Sequence, residues 1–235
     1  MAPRRKAQER LPELVDAALR VFTREGYRAA QMADIANEMS MTEAALYRYV
    51  TGKEALFDLA IRHALLLEPL PADGLPLGSP PLSVTIKEIQ ATVHGAIPPP
   101  ALAQALRRRR TPDPATELIS VVTELFALET LTRAAADMVE RSARELPELA
   151  ELLHYELRRP LVRALTDYLE KRAGTGLLRR TPDANATARM ALELITWFAR
   201  HRFSDPDGQS IPPDIAEATV VDTIVHALVP SEHRP

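Results

Sequence analysis

A chain of 235 residues with net charge −3 and no cysteine is long enough for one large domain or a small domain fused to a larger one. The missing cysteine excludes disulfide frameworks, thiol nucleophiles and cysteine zinc sites, and fits a reducing cytoplasm. The charge argues weakly against nucleic-acid binding for the whole chain, but it is unevenly spread: residues 1–10 carry Arg4, Arg5, Lys6 and Arg10 against Glu9 alone, and the remainder is acidic on balance.

That basic arm, residues 1–10, either meets phosphates or is a solvated tail, and it lacks the apolar stretch of a secretory signal. Leu11, Leu14, Val15, Ala18, Leu19 and Phe22 then recur at helical spacing up to Gly26, which predicts a first helix with one buried face. Met32, Ile35, Ala36 and Met39 predict a second. After a break at Met39, Ser40 and Met41, the residues Met41, Ala45, Leu46, Tyr49 and Val50 predict a third, over 42–50. Thr42 is positioned to cap it through its hydroxyl, and Glu43 suits the positive end of its dipole. Two short amphipathic helices across a tight turn make a helix-turn-helix.

Thr51 and Gly52 break the pattern before a fourth helix that runs from Lys53 to about Leu67, where Pro69, Pro71, Gly74, Pro76, Gly78, Pro80 and Pro81 impose a mobile loop. Beyond the loop every periodic segment is helical: about 82–94, 101–109, 113–144, 146–173, 183–203 and 213–229. Pro160 falls inside a strong leucine pattern and predicts a kink. Asp183 and Asp214 follow prolines and predict helix starts. The leucine-rich stretches are interrupted by proline and acids and fall short of the about 20 apolar residues that span a membrane. The fold class expected is therefore all-α.

The ordered set Glu25-Gly26-Tyr27, Asp34-Ile35-Ala36, Leu46-Tyr47-Arg48-Tyr49 and Lys53-Glu54-Ala55-Leu56-Phe57 resembles the N-terminal DNA-binding domain of TetR-type transcriptional repressors. The resemblance implies a three-helix DNA-binding domain over 11–58 and a larger helical effector-binding and dimerisation domain over 59–235, which it matches by length and helix order. Three positions depart from the family pattern. Ser40 stands where the turn commonly has glycine, Val50 where an aromatic core residue is usual, and Gln31 where a phosphate-touching threonine or serine is common.

In such a motif the second helix presents its N-terminal residues to base edges in the major groove. Glu43, Ala44 and Ala45 are then the candidate readers, with Thr42 counted among the DNA-binding residues: Glu43 accepts from a cytosine amino group or merely completes the helix dipole, and Ala45 touches a thymine methyl. Gln31, Tyr47, Arg48, Tyr49 and Lys53 are the candidate backbone contacts, with Arg48 alternatively reaching a base and Tyr49 alternatively packing in the core beside Leu46 and Val50. The resemblance also implies a homodimer joined through the last two helices, about 183–203 and 213–229, whose stripes are Ala188, Ala191, Leu192, Ile195 and Phe198, and Ile215, Val221, Ile224, Val225 and Leu228. The same stripes would also seal an intramolecular core.

For a small-molecule effector the candidates are His63, His94, Phe126, Met138, Tyr155 and Trp197, with core packing as the ordinary alternative for each. The run Arg107 to Arg110 is either a second nucleic-acid patch or a helix-end cluster in solvent. Enzyme signatures are missing: there is no glycine-rich phosphate loop, no G-x-S-x-G and no H-E-x-x-H, and His154-Tyr155-Glu156 lacks a second histidine at metal-ligand spacing. The expectation is a non-enzymatic, cytoplasmic regulator without cofactor, metal or membrane attachment. It would repress by holding a palindromic operator as a dimer and release it when an effector binds, with activation as the less common mode. The rival is a ligand-binding or interaction module of the same fold that has lost specific DNA recognition.

Overall fold

The computed structural model describes residues 9–65, 67, 69–71, 73–111 and 113–233. The chain is all-α, with an N-terminal helix-turn-helix domain and a larger C-terminal helical region. Arg4, Arg5 and Lys6 of the basic arm lie outside the described residues. The chain divides into two compact units, Met1–His94 with Ala134–Glu156, and Gly95–Arg133 with Leu157–Pro235.

The first unit begins with α1 (Leu11–Glu25), α2 (Met32–Glu38), α3 (Glu43–Leu46) and α4 (Lys53–Ala64). The apolar stripe of α1 is buried as its spacing demands, and α1 packs against α2 and α4. Phe22, Tyr27 and Phe57 form an aromatic cluster, with Phe57 edge-on to both of the others at 5.1 and 5.0 Å between centroids. These contacts fix the angle between α1 and α4 beyond what area burial supplies. Gly26 ends α1 at φ 88°, and its amide donates to the Phe22 carbonyl. A side chain there would meet the Glu145 carboxylate at 3.1 Å. That carboxylate in turn accepts from the Arg28 amide at 2.9 Å, so the loop after α1 is clasped from the far end of the unit.

A helix α5 (Leu82–Gly95) starts after the proline-rich loop, and its end passes into the second unit. Arg62 on α4 bonds Asp58 at 2.9 Å and also pairs with Glu88 of α5, while the Thr85 hydroxyl donates to Asp58 at 2.7 Å. Helices α8 (Arg133–Ala143) and α9 (Pro147–Glu151) contribute to the same unit. Sequence periodicity reads 113–144 as one helix, but the chain breaks at Thr132, whose amide and hydroxyl both turn back to the Leu128 carbonyl. The helix α7 ends there at Leu131, and α8 starts afresh at Arg133.

The second unit comprises α6 (Pro100–Arg107), α7 (Pro114–Leu131), α10 (Arg159–Gly174), α11 (Ala184–Ala199) and α12 (Pro213–Leu228) around one apolar core. Asp183 caps α11 by accepting from the Ala186 amide at 2.6 Å, and Asp214 lies in the first turn of α12, as expected for both starts. The kink expected at Pro160 takes the form of a π-helical turn over Leu152–Arg158, immediately before α10. Proline supplies no amide and its ring crowds the carbonyl four residues back, and a widened turn relieves both problems.

Across this core Arg172 is wholly buried, and bonds both carboxylate oxygens of Glu117 at 2.6 and 2.9 Å and the Ala105 carbonyl at 2.8 Å. A planar guanidinium paired bidentately is the form in which a charge is tolerated inside a core. Tyr168 lies beneath it, its centroid 5.7 Å from the guanidinium carbon. Burial, reinforced by the nearby Glu117 carboxylate, raises the Tyr168 hydroxyl well above the ordinary phenol range.

Candidate nucleic-acid interface

The turn of the helix-turn-helix is built by Ser40 in the left-handed region, at φ 51°. The Met41 amide closes back on the Ala36 carbonyl at 3.0 Å and the Ser40 amide on the Asn37 carbonyl at 3.0 Å. Among the described residues Ser40 is the only non-glycine at positive φ, at the position where the resembled family commonly has glycine. Upstream, the Gln31 amide donates to the Asp34 carboxylate at 3.1 Å, and the Gln31 side chain donates to the Ala29 carbonyl at 3.1 Å. Gln31 thus caps α2 and is exposed beside it.

The third helix is shorter than the apolar pattern over 42–50 predicts. It is regular only over Glu43–Leu46 and tightens through Tyr47–Tyr49, with the Tyr49 amide donating to the Leu46 carbonyl at 2.8 Å. Val50 then leaves the helix to pair with Leu77 of the proline-rich loop, a partner that local periodicity could not announce. Thr42 holds the N-cap position, but its hydroxyl makes no capping bond, so the cap expected from its side chain is corrected to one of backbone conformation alone.

This segment has two clear faces. Leu46 and Val50 are fully buried and Tyr49 is 7% exposed, whereas Thr42, Glu43, Ala44 and Arg48 are exposed, Tyr47 is 47% exposed and Ala45 is half-buried. The Tyr47 hydroxyl reaches the Glu43 carboxylate at 3.5 Å, one turn away. Tyr49 therefore packs inward with Leu46 and Val50 rather than standing with Tyr47 and Arg48. Spacing alone left both placements open.

Lys53 begins α4, where its ammonium donates to the carbonyls of Arg28 and Ala30 at 3.1 and 3.0 Å and stands 4.9 Å from the Tyr27 ring centre. It ties the start of α4 to the loop before α2, using two of the three donors an ammonium has. Arg28, exposed and joined to Lys53 through its own carbonyl, is a cation beside this surface that sequence reading passed over. Arg10, the one described cation of the arm, bonds Glu13 and the Met39 carbonyl, each at 3.3 Å.

The six effector candidates are scattered. His63 lines a cavity of about 320 Å³ within the first unit, together with Asp58, Leu59, Arg62, Leu77 and Glu88. Met138 is buried in α8, and His94 is exposed with its Nδ1 3.6 Å from Glu156. Tyr155 is mostly exposed on the π-helical turn. In the second unit Phe126 belongs to the core and Trp197 is at the surface, edge-on to Phe198. Arg107 to Arg110 are exposed at and after the end of α6. The stripes of the last two helices are largely turned inward: Ala188, Ala191, Leu192, Ile195, Ile224, Val225 and Leu228 are buried in the core of the second unit, Phe198 and Val221 pack against it partly buried, and Ile215 is exposed together with Met190 and Trp197.

Residues 14–60, which hold the turn, the exposed face of α3 and Lys53, match the sequence profile of bacterial regulatory proteins of the tetR family. The N-terminal domain belongs to the tetR family. No curated protein matches the chain significantly. Solved structures similar to it include the ketosteroid transcriptional regulator KstR2 of Mycobacterium tuberculosis, 15% identical with TM-score 0.53, covering 94% of this chain and 95% of that one. AibR in complex with isovaleryl coenzyme A and operator DNA is 18% identical with TM-score 0.52, covering 94% and 98%. The TetR family regulator PfmR of Thermus thermophilus is 20% identical with TM-score 0.50, covering 91% and 97%. At these identities the likeness is one of fold alone, and it covers nearly the whole chain. No described helix is long and apolar enough to cross a membrane, and the described residues contain no cluster of metal-ligating side chains.

Proposed function

We propose that this protein is a ligand-responsive transcriptional regulator, a repressor that binds a palindromic operator as a homodimer and is released by a small-molecule effector. The observation that carries the reading is the division of residues 42–50 into an anchored face and a free one. Leu46, Tyr49 and Val50 hold the segment to its domain, and Thr42, Glu43, Ala44, Tyr47 and Arg48 stand in solvent. An exposed helix start aimed away from its own core is what major-groove reading needs. Glu43, Ala44 and Ala45 read base edges. Tyr47, Arg48 and the remaining donor of Lys53 hold phosphates, with Gln31 and Thr42 at the margin of the contact.

One such unit buries too little surface for tight specific binding, so two act together, spaced about one helical turn of DNA apart, about 34 Å. Pairing through α11 and α12 would cover the exposed Met190, Trp197 and Ile215. The effector enters the helical region beyond residue 58 and shifts the population away from the spacing that fits DNA. The similar AibR was crystallised with both an acyl coenzyme A and operator DNA, which supports a regulator that meets both kinds of partner. Acting on DNA, the protein works in the cytoplasm and needs no catalytic machinery.

Competition binding to the DNA upstream of its own gene tests this. A complex that survives excess random duplex supports the repressor, and one that random duplex removes favours a module without specific recognition.

A further inference from the structure

A helix of one turn cannot hold itself, because its few hydrogen bonds do not repay the cost of nucleation. The α3 segment is that short, yet it is the proposed reading head. Its C-terminal end leaves the Tyr49 carbonyl and the Thr51 amide without helical partners. Both find one in Leu77, 26 or more residues later in the chain. The Leu77 amide donates to the Tyr49 carbonyl at 2.7 Å, and the Thr51 amide donates to the Leu77 carbonyl at 2.8 Å, making a parallel bridge around Val50. Val50, fully buried, is β-branched and suited to extended backbone. It is also the position where the resembled family usually has an aromatic residue, a departure that the DNA-contact reading leaves unused.

We infer that the proline-rich segment around Leu77 is a strap that positions the reading head, with Leu77 as a positioning residue acting through the backbone of Tyr49 and Thr51. The inference rests on the DNA-binding reading above. The strap bonds the backbone that follows α3, at Tyr49 and Thr51, so it can set the angle of Glu43 and Ala45 without touching DNA itself. Prolines on either side, Pro76 and Pro80, fix φ at their own positions and so lower the entropy lost in holding the segment. The same residue walls the cavity beside His63.

The test pairs Leu77→Pro, which removes the donor to Tyr49, with Leu77→Ala, which keeps both backbone groups. Operator affinity of the full-length protein should fall about tenfold in Leu77→Pro, the order expected for one lost hydrogen bond at its upper end, and stay near wild type in Leu77→Ala. Affinity for random duplex should change in neither. Hydrogen exchange supplies a readout that does not depend on a variant folding. By reciprocity, operator bound to the wild-type protein should slow exchange of the Leu77 and Thr51 amides. Unchanged exchange at both amides, or a Leu77→Pro protein that binds operator like wild type, overturns the strap alone. A wild-type protein with no preference for operator over random duplex overturns the DNA-binding reading and the strap together.

Discussion

Ser40 keeps a left-handed backbone with a side chain that disfavours it, a cost of order 1–2 kcal/mol less whatever glycine would lose in entropy. Ser40→Gly should therefore stabilise the protein by about 0.5–1 kcal/mol in denaturant unfolding, and a loss of stability would mean that the turn depends on the serine side chain. Lys53 serves two masters. Its bonds to the Arg28 and Ala30 carbonyls predict that Lys53→Ala costs about 1 kcal/mol of stability. Its remaining donor predicts that the slope of log affinity against log salt falls by roughly one unit. An unchanged slope would confine Lys53 to the clasp. That Lys53 is a basic residue at a helix start was plain from the sequence. Its acceptors were not, because they are backbone carbonyls 23 and 25 residues upstream, and no side-chain pattern marks a carbonyl left free. Tyr49 shows the same limit, since helical spacing allowed both the inward and the outward placement and only the packed core decides.

The elements whose partners are local could be read well. The first helix runs over Leu11–Glu25 and the last over Pro213–Leu228, close to the bounds implied by their stripes, prolines and glycine. The third helix was overestimated because the pattern of Met41, Ala45, Leu46, Tyr49 and Val50 encodes burial, and burial here continues past the helix into the bridge with Leu77. Within α3, position separates two effects. Glu43→Ala should relax preference at a single operator position by about 1–3 kcal/mol, whereas Arg48→Ala should weaken binding to all sequences alike. A gel-shift series over operator variants in which Glu43→Ala lowers affinity uniformly would return Glu43 to a dipole role. In the second unit, α10 is locked to α6 and α7 by Arg172. Its spacing of three from Leu169 and four from Tyr168 placed an arginine on an apolar stripe, a visible signal of a buried partner that sequence alone could not name. Glu117→Ala strands that charge and should cost about 3–5 kcal/mol in chemical denaturation; a loss below about 1 kcal/mol would mean that water reaches the guanidinium.

At the scale of the whole molecule, fold class followed from helical periodicity throughout and from an ordered set of short motifs, and it agrees with the structure and with the tetR likeness. What periodicity cannot tell is which surface a stripe meets. Most of the apolar residues of the last two helices that read as a dimer face fill the core of their own unit or pack against it, Ile215 excepted, and the large apolar groups these helices expose are Met190, Trp197 and Ile215. Trp197→Glu places a charge there and should yield a monomer in sedimentation experiments, with operator affinity lost while the fold is kept. The most direct measurement of the central claim is sedimentation of the wild-type protein with a fluorescent duplex of the DNA upstream of its own gene, in excess random duplex. A dimer-containing complex that persists under competition is the expected result. A monomer, or a complex that random DNA dissolves, would contradict it.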